Sequence, residues 1–89
     1  MNREERKKLQ AEQFENMKKF RNIPFAEVGM TVIVNGNMGK IVGSNSSQNL
    51  DVFFPELQGK RNCHPHWKIS YFKEDGTLIK EYKTDERRD

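Results

Sequence analysis

The chain has one cysteine, Cys63, in 89 residues, so it cannot build an internal disulfide framework. No apolar run approaches the roughly 20 residues that a membrane-crossing helix needs, and the charged N-terminal stretch lacks a signal-peptide core. A soluble, reducing, cytoplasmic setting is the expectation. Neither the P-loop nor the Rossmann pattern of phosphate-cradling glycines occurs, and there is no internal repeat. One-sided charge is also missing: 16 Lys and Arg against 13 Asp and Glu leave a net +3. That is weaker than the strongly basic faces of many dedicated nucleic-acid binders, though it permits encounter with an anionic surface. Apolar residues are scarce at 34%. A domain of ~60 residues buries only about 60% of its unfolded surface, so a single small core is the limit.

What charge there is sits at the ends. Residues 1–22 carry a net +3, residues 23–60 a net −1 and residues 61–89 a net +1. Residues 2–21 read as a helix rich in Lys, Glu, Gln, Leu and Met, free of Gly and Pro. Asn2 is placed to cap it, Glu4 and Glu5 lie in its first turn, and Lys18, Lys19 and Arg21 lie at its end. At about 100° per residue, Leu9, Phe14, Met17 and Phe20 share one arc of about 140° and form an apolar stripe. Pro24 ends the helix.

The middle of the chain alternates. Val28 to Phe54 holds three short apolar runs, separated by Asn35-Gly36-Asn37-Met38-Gly39 and Gly43-Ser44-Asn45-Ser46-Ser47-Gln48-Asn49. Residues rich in Gly and Asn tolerate positive φ, and apolar runs spaced this closely predict an antiparallel meander. Strands are predicted over 30–34, 39–43, 49–54, 61–64, 67–73 and 77–82, with an Asp75-Gly76 hairpin before the last. Leu50, Val52 and Phe54 alternate with Asp51 and Phe53, and Trp67, Ile69 and Tyr71 alternate with Lys68, Ser70 and Phe72. The expected core is Val32, Val34, Ile41, Leu50, Val52, Phe54, Trp67, Ile69 and Tyr71. Gly36, Gly39 and Gly43 are assigned to turns and a bulge. The organisation expected is a helix over 1–22, a small antiparallel barrel of five to six strands over 23–83, and a charged, disordered tail over 84–89.

The order helix, Gly29-x-x-Val32-x-Val34, glycine turn, Gly39-Lys40-Ile41-Val42-Gly43 and Leu50-Asp51-Val52-x-Phe54 resembles a KOW-type SH3-like barrel module. The resemblance spans about residues 28–72. It implies contact with RNA or with the transcription or translation machinery. A preceding helix, a short first turn and the run Asn62 to Trp67 depart from that family's pattern. In general style, the chain is also similar to small accessory proteins of bacteriophages.

The run Asn62-Cys63-His64-Pro65-His66-Trp67 carries the most chemistry. A structural zinc site usually has four ligands, and only three soft ones cluster here, with Pro65 restraining their convergence. A tight corner with Cys63 packed as a small hydrophobe is the favoured reading, with no metal and no cofactor. A binding edge made by His64, His66 and Trp67, joined by Phe53, is the alternative. Sequence neighbours such as Cys63 and His64 rarely meet nucleophile–base geometry, so no catalysis is expected. Phe53 is out of phase with the core. It either stands exposed for base stacking or packs under the helix stripe; packing is favoured because the stripe needs an acceptor.

Arg3, Arg6, Lys7, Lys8, Lys18, Lys19 and Arg21 suit phosphates or a solvated amphipathic face with Glu4–Lys8 and Glu15–Lys19 pairs. The interspersed acids favour the solvated face. The expected function is a non-catalytic module contacting nucleic acid with weak sequence preference. Its contacts would be Lys18, Lys19, Arg21, Lys40, Asn45, Ser46, Lys60, Arg61 and Lys68. The alternative is a protein-interaction module that docks on a larger machine without touching nucleic acid. Neither a membrane nor a small-molecule substrate is expected.

Overall fold

The computed structural model describes residues 3–83. The Asn2 cap and the tail over 84–89 lie outside the described residues. Helix α1 (Arg3–Arg21) is followed by strands β1 (Thr31–Val34), β2 (Asn37–Ser44) and β3 (Leu50–Phe54). A 3-10 turn (Pro55–Leu57) then leads into β4 (Gly59–Cys63), β5 (Ile69–Phe72) and β6 (Leu78–Tyr82). All ladders are antiparallel, in the order β4-β3-β2-β1-β5-β6. The chain is therefore mainly β with one N-terminal helix. Among the described residues no ladder joins β4 to β6, so the sheet is open at those two strands rather than closed into the expected barrel. No described helix is long and apolar enough to cross a membrane.

Local sequence explains the turns. Asn35 and Gly36 both have positive φ (50° and 86°) and connect Val34 to Asn37 as a two-residue type I′ hairpin. Strand β2 thus resumes at Asn37, and Gly39 lies within it rather than in the turn. A Cβ on Gly39 would come within 2.7 Å of the Phe53 carbonyl oxygen and Val52 Cγ1, so a close approach of strands demands the glycine. Gly43 lies at the bulge between β2 and β3, as expected. Asp75-Gly76 forms the last turn, where Asp75 Oδ1 accepts the Thr77 N–H (2.9 Å). Hydrogen bonding from the Thr77 side chain, then from its backbone N–H, holds the Asp75 carboxyl below its usual range.

Eight of the nine expected core residues are buried, together with Phe14, Met17, Ile23, Ala26 and Cys63. Trp67 is the correction: it is half-buried at the core's margin. Lys68 adopts a left-handed φ of 46°, which delays β5 until Ile69 and breaks the alternation that put Trp67 inside. The helix stripe is only half used. Phe14 and Met17 join the core while Leu9 and Phe20 stay exposed. The helix ends in a Schellman motif. Asn22 has φ 59°, the Ile23 N–H donates to the Lys18 carbonyl (2.9 Å), and the Asn22 N–H donates to the Lys19 carbonyl (3.3 Å). Asn22 thus stops the helix before Pro24 is reached.

Candidate nucleic-acid interface

One side of the sheet faces the core, and the other exposes Lys40, Phe53 and Lys60. Directly opposed residues in an antiparallel ladder share a face. Lys40 on β2 opposes Phe53 on β3, and Phe53 opposes Lys60 on β4. An aromatic ring is thereby flanked by two lysines, each one strand spacing away, about 4.8 Å. Both lysines are exposed, and Phe53 is 41% exposed. The helix does not cover Phe53, which corrects the favoured packing reading. Only Phe14 and Met17 of the stripe dock, and they enter the core cluster. Met38, two residues before Lys40 on β2, is also exposed, as is Val42 at the bulge. Beside them a groove of about 560 Å³ runs between α1 and the sheet, lined by Phe14, Lys18, Val28, Val42, Asp51 and Lys60 among others.

The expected basic and polar contacts do not converge as one set. Lys40 and Lys60 share the outer face. Lys18 reaches the groove but pairs with Glu15 at 3.3 Å, the partner expected for Lys19. Lys19 is exposed on the helix. Arg61 opposes Val52, whose side chain faces the core, so it projects to the other side of β4 from Lys60. Lys68 lies near the Asn35-Gly36 hairpin, its carbonyl accepting the Asn35 N–H (2.8 Å) and its Nζ 5.1 Å over the Trp67 ring.

Arg21 and Asn45 are engaged internally. Arg21 Nε donates to the Gln48 carbonyl (2.8 Å), and its Nη2 donates to the Ser47 carbonyl (3.3 Å) and Asn49 Oδ1 (2.9 Å). Asn45 Oδ1 accepts the backbone N–H groups of Ser47 (2.9 Å) and Asn49 (3.3 Å), an Asx-type turn. Ser46 is left exposed at the loop tip.

The Cys63 to Trp67 run makes a corner. The Trp67 N–H donates to the His64 carbonyl (3.2 Å), and Pro65 is fully buried, its carbonyl accepting the Tyr71 hydroxyl (2.8 Å). Burial, with the Tyr82 and Cys63 groups nearby, raises the Tyr71 pKa well above its ordinary value. His66 Nε2 donates to the Arg21 carbonyl (2.8 Å), and its ring stacks on Tyr82 at 4.6 Å. His64 Nδ1 accepts the His66 backbone N–H (3.1 Å). Cys63 is buried, and burial, with a smaller contribution from the Asp51 charge, pushes its thiol up to about 11. Such a thiol stays protonated near neutral pH and is a poor nucleophile or metal ligand. Among the described residues no group of three or more His, Cys, Asp or Glu is placed to hold a metal ion.

Phe72 escaped the sequence reading as a site residue. It opposes Thr31, which opposes Lys40, and so it lies on the same outer face as Phe53. The signal was present: Phe72 alternates out of phase with Ile69 and Tyr71, as Phe53 does with Val52 and Phe54. Comparison with protein-family models, characterised proteins and solved structures returns no match.

Proposed function

We propose that this protein is a non-catalytic binding module that engages nucleic acid through the outer face of its sheet. The observation that carries the reading is the cross-strand row Lys40–Phe53–Lys60. An exposed ring offers a stacking surface to any base, and flanking ammonium groups offer contacts to the phosphates on either side. No bidentate base-reading pair accompanies the row, which favours weak sequence preference. The resemblance of the sequence over about residues 28–72 to a KOW-type module adds the expectation of an accessory role in transcription or translation. Titration of labelled oligonucleotides at several salt concentrations tests the reading. Binding that weakens steeply with salt supports it, and no binding even at low salt rejects it.

A second reading has its own observation. Met38, Val42 and Val28 are exposed apolar side chains, at 59%, 47% and 59%, around the same lysines. Exposed apolar side chains near charged ones suit a protein partner. Affinity for such a partner would change little with salt, whereas phosphate contacts would not behave so.

A further inference from the structure

We infer that the outer face carries a second base site at Phe72, and that its ligand is a single strand of at least three nucleotides. This deepens the nucleic-acid reading and rests on it. The ladders define one unbroken row: Lys60, Phe53, Lys40, Thr31, Phe72. Along it run cation, ring, cation, hydroxyl and ring. Phe53 and Phe72 are three strand spacings apart, about 14 Å at about 4.8 Å each. Stacked bases in one strand lie about 3.4 Å apart, so neighbours in a stack cannot reach both rings. One nucleotide's backbone is also too short for that span. At least one nucleotide must intervene, with Lys40 beneath its phosphate.

The surroundings of Phe72 suit a base rather than a backbone. Phe72 is half-buried and lines a cleft of about 500 Å³ with apolar walls at Phe25, Met30 and Ile79, where Glu27 and Glu74 are matched by Lys40 and Lys73. The apolar walls match the face of a base. The two carboxylates are acceptors for hydrogen bonds from exocyclic amines. A base stacked on Phe72 fits between these walls, with its phosphate held at the Lys40 side. A duplex keeps its base faces stacked internally and cannot occupy either ring.

The test is a titration of the full chain with labelled single strands of increasing length, and with a duplex of matched charge at equal salt. Affinity should rise in a step once a strand reaches both rings, and single strands should bind more tightly than the duplex. Phe72→Ala should lower long-strand affinity by about 5- to 150-fold, the worth of one stacked base, and leave short-strand affinity intact. Phe53→Ala should lower both. Phe72→Leu keeps the apolar bulk and removes the π face, so it gives the same answer if the alanine variant fails to fold. An intact length step in Phe72→Leu would overturn the inference while leaving the Phe53 reading standing, and equal binding of duplex and single strand would overturn base stacking at both rings. Absence of binding to every oligonucleotide would overturn both.

Discussion

The end of the helix and the outer face of the sheet use similar residue types in opposite ways. Around Arg21, cationic and polar side chains turn inward on the chain itself. Arg21 holds three oxygens of the 47–49 loop, Asn45 organises that loop from within, and His66 donates to the last carbonyl of α1. On the sheet, Lys40, Phe53 and Lys60 are turned outward. The difference separates structural polar groups from available ones. A guanidinium engaged by three acceptors would have to break those bonds to meet a phosphate, whereas an exposed lysine has only water to displace. The helix end should therefore govern stability and the sheet face should govern binding.

The sharpest way to break this division is at Arg21. Removing a charged donor with three acceptors should cost about 2–3 kcal/mol, so Arg21→Ala should lower the urea midpoint strongly. A variant with unchanged stability and weakened nucleic-acid affinity would move Arg21 to the binding side. Gly39→Ala crosses the boundary from beneath. Its Cβ would crowd Val52, Phe54 and the Phe53 carbonyl, so overpacking should cost about 1–3 kcal/mol and also disturb the platform. Both denaturation and oligonucleotide affinity should register that substitution.

The double variant Lys40→Ala/Lys60→Ala should behave in the reverse manner. Its stability should stay within about 0.5 kcal/mol of the parent, as for ordinary surface changes. Its log-affinity against log-salt slope for single strands should flatten by about 1.4, from two lost phosphate contacts.

The smallest effect concerns Cys63. Its thiol ionises at about 11 in the folded chain, against an ordinary value of 9.0. The unfolded chain therefore loses this proton first. The contribution to stability is complete below about pH 9 and falls as pH rises towards about 11. Denaturation midpoints across that range should fall less steeply in Cys63→Ala than in the parent.

Local features were legible in the sequence. The alternation through Leu50–Phe54 and Ile69–Phe72 fixes which side chains face inward, and Asn35-Gly36 and Asp75-Gly76 mark their hairpins because few other residues tolerate those φ values. Contacts between distant residues were not legible. Arg21 meets Gln48 across 27 positions and His66 across 45, so neither charge nor spacing revealed that both are structural. Trp67 was misplaced by one left-handed residue, Lys68, which no propensity announces. The platform sat between these cases. Phe53 and Phe72 were visible as out-of-phase aromatics, but their common row with Lys40 required the strand order and register.

The central claim is that Phe53 is a binding residue with little structural work. The direct measurement pairs a single-strand titration at low salt with a urea denaturation, on the parent and on Phe53→Ala. An affinity loss of about 5- to 150-fold, one stacked base, with a denaturation midpoint close to the parent's, is the predicted result. Unchanged affinity, or a loss of affinity that merely follows a collapse in stability, would contradict it.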